Sequence, residues 1–311
     1  MKRYSFWIFL GLLSGFLWGV NNVLYAAGYT AGMATGSRTF VDAALLFPLA
    51  CTAVNDSSAA AALLIAHGRS GKWHYMTQQL RKKGSRYLCL AALLGGPVGQ
   101  FTYCLGIIWA GAAYALAFSA LYPVVGCLLA AWFLHQRITM RMWIGIVLAV
   151  GGAVLTGFEP PEGVPATLPL GIATACTAAV CWGSEIVLAV KGMECDISPE
   201  SAITLRECIS GSVLMLLVLL VLPGQPVMAE LISKPEVLKF FVLASVSAGV
   251  SYFLWYAVNH TIGCARGMAA NTTYVIWGVL LQVFFTEIGI TPAILVGCVL
   301  VFLGVVLVSW E

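Results

Sequence analysis

The sequence predicts an all-α membrane protein of ten transmembrane helices in two inverted five-helix repeats, with both termini cytoplasmic. Three observations predict it. Of the 311 residues, 60% are hydrophobic and only 9% charged, whereas soluble domains carry roughly a quarter charged residues. Apolar runs of the roughly 20 residues needed to cross a bilayer core recur along the whole chain. The chain also matches itself when slid by 152 residues: Tyr122 falls on Tyr274, Gly111 on Gly263, Gly145 on Gly297, Gly152 on Gly304, and Ile138-Thr139 on Ile290-Thr291. Near the start of each half an offset of 164 pairs Trp18-Gly19 with Trp182-Gly183.

The first apolar run, 5–27, follows the basic start Met1 to Arg3 but is too long for the apolar core of a signal peptide. It carries Asn21 and Asn22 in place of a cleavage-site pattern, so it is a retained span. Runs bounded by charge, Gly and Pro place the others near 36–65, 87–109, 112–134, 139–158, 168–191, 200–222, 236–260, 266–286 and 292–310. The second is interrupted by Asn55 and Asp56, and its length implies tilt or an interfacial end. Of ten cysteines, all but Cys195 fall in or at the ends of apolar segments, without a Cys-x-x-Cys spacing. Such cysteines are small hydrophobes, and neither a metal nor any other cofactor is expected.

With the N-terminus inside, the cytoplasmic segments hold Lys2, Arg3, Arg69, Lys72, Arg81 to Lys83, Arg86, Arg137, Arg141, Lys191 and Arg266. The outer loops hold only Lys234 and Lys239. This is the positive-inside pattern, so the net charge of +3 reports orientation and not a nucleic-acid partner. The repeat divides the chain into 1–158 and 159–311. Each half has five spans, an odd number, so the second crosses in the opposite sense. Inverted repeats of this kind place a small-solute site near the bilayer midplane and support alternating access.

Ionisable groups inside spans are costly and face a cavity or a partner. Four stand out: Arg38, Asp42, Glu185 and Arg206. Arg38 and Asp42 lie four apart on one helix, which suits either a structural ion pair or a gating or proton-linked role. Glu185 sits mid-span in Cys181-Trp182-Gly183-Ser184-Glu185. Its charge must be met by Arg206, by a substrate cation or by a proton; Glu207 offers Arg206 another partner. Aromatic residues at similar depth include Trp18, Tyr103, Tyr122, Trp182, Tyr252, Trp255, Tyr256, Tyr274 and Trp277. Trp7, Trp109, Trp143 and Trp310, close to span ends, suit the interfacial belts. Electron-rich ring faces attract organic cations, quaternary ammonium most of all, so a buried carboxylate among such rings is a cation site. At the 164 offset Asn21 aligns with Glu185, so one half supplies a neutral partner and the other the charge. The glycines at 11, 15 and 19 and at 95, 96 and 99 read as helix-packing positions.

Ten spans, duplicated halves, the Trp-Gly of the first and sixth helices and Tyr122-Pro123 leading to a basic turn resemble the drug/metabolite transporter superfamily, EamA type, over nearly the whole chain. Several segments look closer to the bacterial LicB-type choline transporters: Gly11 to Gly19, Gly96-Pro97-Val98-Gly99, Ser119 to Pro123, Trp182-Gly183-Ser184-Glu185, Ser251-Tyr252, and Asn271-Thr272-Thr273-Tyr274-Val275-Ile276-Trp277. The resemblance implies a bacterial inner-membrane importer that takes choline, or a similar small organic cation, into a cavity of aromatic rings and a carboxylate. It implies Trp18, Trp182, Glu185, Tyr256 and Trp277 as pocket residues, with Asp42 and Arg206 in support. Asn21, Tyr122, Tyr252, Asn271 and Tyr274 complete the expected substrate site. The wider superfamily suggests, as an alternative, export of amino acids or other small metabolites. No Gly-x-x-x-x-Gly-Lys-Ser/Thr loop is present, and His67, His74, His135 and His260 are scattered, so neither ATP hydrolysis nor another enzyme activity is expected.

Overall fold

The computed structural model describes residues 2–34, 39–157, 166–286 and 291–310. Among the described residues it is a helical bundle without strands. The elements are α1 (Lys2–Ala34), α2 (Asp42–Arg69), the short α3 (Trp73–Gln79), α4 (Ser85–Ala110), α5 (Ala112–Ser119), α6 (Tyr122–Phe133), α7 (Met140–Gly157), α8 (Leu168–Met193) and α9 (Pro199–Val221). They continue as α10 (Gln225–Ser233), α11 (Pro235–Ile262), α12 (Cys264–Thr272), α13 (Tyr274–Thr286) and α14 (Pro292–Ser309). Among the described residues nine helical segments are long and apolar enough to cross a membrane, α5 and α6 counting as one over Tyr114–Phe133. The run expected at 266–286 is divided at Thr273 into α12 and α13, neither long enough alone. Arg38 lies outside the described residues.

Local chemistry sets the helix ends. Ser198 caps α9 by accepting from the Ser201 amide at 3.3 Å, ahead of Pro199, and Thr291 caps α14 by accepting from the Ile294 amide at 3.3 Å, ahead of Pro292. Several of these details recur 152 residues apart. Thr139 Oγ1 accepts from the Met142 amide at 3.3 Å, as Thr291 does from Ile294. Gly111 and Gly263 end their helices with φ of 86° and 91°, a region that L side chains avoid. The amide of Leu121 reaches Phe118 O at 3.3 Å and that of Thr273 reaches Ala270 O at 3.4 Å, each where a half-helix breaks just before a tyrosine.

The helices pair as α1 with α11, α4 with α8, α2 with α9 and α7 with α14. The last pair is drawn close by glycines. A Cβ built on Gly145 would stand 2.6 Å from Gly304 O, and one on Gly152 2.5 Å from Gly297 O. Gly145 and Gly297 are repeat mates, as are Gly152 and Gly304, so the two helices meet through the same pair of positions in a two-fold-like contact. Neighbouring Gly151 has nothing within 4 Å of an added Cβ. Gly152→Leu is therefore expected to force α7 off α14, at about 1–3 kcal/mol for overpacking, and to lower the melting temperature in detergent. Gly151→Leu serves as the lipid-facing control and should melt like the parent. Equal melting of the two variants would contradict the packing argument.

Candidate functional site

A cavity of about 570 Å³ lies within the bundle, a size typical of small-ligand sites. Along α1 it is lined by Trp18, Asn21, Tyr25 and Tyr29, whose spacing of three or four puts them on one helix face. It therefore runs from the midpoint of α1 toward that helix's C-terminal end. Thr52 and Asp56 of α2, and Gly95 and Tyr103 of α4, line it over the matching stretch. The basic residues Arg69, Lys72 and Arg86 stand at the opposite face of the bundle.

Three carboxylates meet one guanidinium at the Trp18 end. Arg206 donates from Nε to Glu185 Oε1 at 3.0 Å, from Nη1 to Asp56 Oδ2 at 3.2 Å and to Glu207 Oε2 at 3.1 Å, and from Nη2 to the Tyr252 hydroxyl at 3.1 Å. Ser210 Oγ donates to Asp56 Oδ2 at 2.6 Å, and the Tyr256 hydroxyl donates to Glu185 Oε1 at 3.0 Å. Asp56, Glu185, Arg206 and Glu207 are all buried. Three acids against one base leave a formal charge of −2 when all are ionised. Such a group is held only because charge-assisted hydrogen bonds replace lost hydration. The replacement is incomplete: Glu207 Oε1 is buried with no hydrogen-bond partner. Asp56, Glu185 and Arg206 face the cavity, and Glu207 stands behind them.

Aromatic rings surround this charge. Trp18 meets Tyr252 edge-on at 5.0 Å, and Trp182 lies 5.5 Å from Tyr103, so each of the two Trp-Gly tryptophans has a tyrosine partner across the bundle. The guanidinium of Arg206 already covers one face of Tyr252, 4.3 Å from the ring centre. Rings of Trp18, Tyr103, Tyr122, Trp182 and Tyr274 remain on the cavity wall. On the N-terminal side of Trp18, α1 is closed against α11 and α12. Asn271 Nδ2 donates to Ser14 Oγ at 2.8 Å, Ser14 Oγ to Ser251 O at 3.0 Å, and Ser251 Oγ to Ser14 O at 2.8 Å.

Of the residues singled out in the sequence, Trp18, Asn21, Tyr122, Trp182, Glu185, Arg206, Tyr252, Asn271 and Tyr274 line this cavity. Tyr256 is fully buried behind it, bonded to Glu185 and packed edge-on against Tyr252 at 6.3 Å. Trp277 does not line it: its ring meets Phe16 edge-on at 5.3 Å, and its Cβ is 2.8 Å from where a Cβ on Gly19 would stand. Asp42 sits at the start of α2, accepting from the Thr39 amide at 3.2 Å while its own amide donates to Thr39 Oγ1 at 3.1 Å. That is a helix cap apart from the cavity. Asp56, an interruption of the second span in the sequence, belongs to the site; an acid inside an apolar run is the same signal that marks Glu185. Tyr25 and Gln100, which carry no such signal, also line the wall.

The sequence profile of the EamA-like transporter family matches residues 5–158 and again 169–310. Protein LicB of Haemophilus influenzae strain Rd is 28% identical over 217 residues, 70% of this chain and 73% of that protein. A solved crystal structure shares the fold, with a TM-score of 0.71 at 17% identity over 97% of this chain and 96% of the other. With two profile matches that together cover nearly all of it, the chain belongs to the EamA-like transporter family.

Proposed function

We propose that this protein is a secondary transporter that takes up choline, or a similar small organic cation, across a bacterial inner membrane by alternating access. The observation that carries the reading is the acidic cluster beneath aromatic rings: Asp56 and Glu185 face a cavity whose only cation beside them is Arg206 among the described residues. A net negative wall with several ring faces suits a cation whose charged group donates no hydrogen bonds. An anion or a zwitterion would face uncompensated carboxylates. The likeness to LicB supports a transporter, and the resemblance of the sequence to LicB-type choline transporters implies the same substrate class.

In this reading α12 and α13 together make a tenth span, and residues 1–158 and 159–311 are inverted repeats with both termini cytoplasmic. The recurrence of glycine kinks, half-helix breaks and threonine caps at one offset supports it, as does the reciprocal α7–α14 contact. With the basic face inside, the cavity extends outward and the Ser14–Ser251–Asn271 contacts close the inner side. That is the form able to receive solute from outside. A permanent cation entering a negative-inside cell gains about 2.3 kcal/mol per 100 mV.

Proteoliposomes bearing the purified protein should accumulate labelled choline under a negative-inside potential, with no competition from amino acids. Absence of choline flux together with efflux of amino acids would overturn this reading in favour of an exporter.

A further inference from the structure

Gly95, Gly96 and Gly99 stand where α4 widens over Leu94–Val98 from α to π spacing, around Pro97, which has no amide hydrogen to donate. The Gly99 amide bonds to Leu94 O and Gly96 O, bypassing Gly95 O. The Gly95 carbonyl instead accepts the indole N–H of Trp182 at 3.0 Å. A Cβ built on Gly95 overlaps the carboxyl group of Glu185, one on Gly96 overlaps Ser210 Oγ, and one on Gly99 lies 2.7 Å from Trp182 Nε1. Ser210 in turn donates to Asp56. One widened turn thus abuts the Glu185 carboxylate, the Trp182 ring and the hydroxyl that orients Asp56.

This differs from the glycines between α7 and α14, which let backbone meet backbone. Gly95 makes room for the end of a charged, flexible side chain. A methyl group there does not press on a wall that must give way; it displaces Glu185 from Arg206 Nε and the Tyr256 hydroxyl. The carboxylate fills that space, and its position depends on it.

We propose that Gly95 is a positioning residue of the cation site: the volume left by its missing side chain holds the Glu185 carboxyl group and so fixes where negative charge stands on the cavity wall. The proposal rests on the cation-transport reading for its substrate, choline, and on geometry for the rest. The attraction between a carboxylate and a bound cation falls with their separation, so Gly95→Ala is expected to weaken choline binding at least about tenfold, as read from choline-dependent thermal shift and from KM for uptake. The distinguishing test is repair. Glu185→Asp shortens the acid by one methylene and vacates the same space, so the double variant Gly95→Ala/Glu185→Asp should bind choline more tightly than Gly95→Ala alone.

Wild-type binding by Gly95→Ala would overturn the proposal, and so would losses in the double variant that simply multiply those of the single ones. If Gly95→Ala does not fold, recovery of folded protein in the double variant supports the proposal, and its failure to recover overturns it. A parent protein that shows no choline shift refutes the choice of substrate, not the positioning. The positioning is then read from melting temperatures without substrate, where coupling between the two substitutions supports it and strict additivity overturns it.

Discussion

Arg206→Met is expected to yield little or no folded, monodisperse protein, because this one guanidinium is shared by three buried carboxylates. Its Nε and Nη1 hold Glu185, Asp56 and Glu207 at 3.0–3.2 Å, and its Nη2 holds Tyr252. Removing one partner of a buried ion pair costs about 3–5 kcal/mol, since the charge left behind has neither water nor a counter-ion. Folded domains have only about 5–15 kcal/mol of stability to lose. In Arg206→Met three acids lose their shared counter-ion together. Arg206→Lys keeps the charge but not the planar fork that reaches several oxygens at once, so its melting temperature should fall between the two. Size-exclusion profiles and melting in detergent check both variants. If Arg206→Met were monodisperse and melted with the parent, the cluster would not be the bundle's electrostatic keystone.

The helix order is legible in the sequence because each span needs enough apolar length to cross hydrocarbon, and no tertiary contact alters that requirement. The division of one span at Thr273 is not. Ala-Asn-Thr-Thr-Tyr contains neither proline nor glycine, and the break follows from packing: Gly15 brings α1 against Asn271 O and the Thr273 side chain. In the candidate site, Glu185 and Arg206 are legible because charge at that depth persists only against a cavity or a partner. Asp56 carries the same signal but sits beside Asn55 in a span whose length already suggests irregularity, which masks it. Trp277 shows the opposite error. Its depth in the helix resembles that of Trp18 and Trp182, but depth says nothing about which side of a helix faces the cavity, and Trp277 lies against Gly19 and Phe16. Gly95 resembles a packing glycine because a sequence shows that a side chain is missing without showing what fills its place.

Glu185→Gln is expected to abolish useful choline binding while leaving the bundle intact. The amide is nearly the same size as the acid, and its carbonyl oxygen still accepts from Arg206 Nε and the Tyr256 hydroxyl, the two bonds that Glu185 Oε1 receives now. The cluster loses one negative charge without losing either contact, so melting should stay near the parent's. Removing the buried counter-charge of a bound cation costs about 2–5 kcal/mol, a loss in affinity on the order of 30- to 5,000-fold. Asp56→Asn removes the same formal charge, but Asp56 reaches the guanidinium through Nη1 and is tied to Ser210, whereas Glu185 and the Trp182 indole both meet Gly95. If the cation is held by direct contact at Glu185, Glu185→Gln should be the more damaging of the two. If it is held by the summed field of the cluster, the two variants should lose affinity equally. Isothermal titration of choline into both variants separates these outcomes, and parental affinity in Glu185→Gln would remove Glu185 from the site altogether.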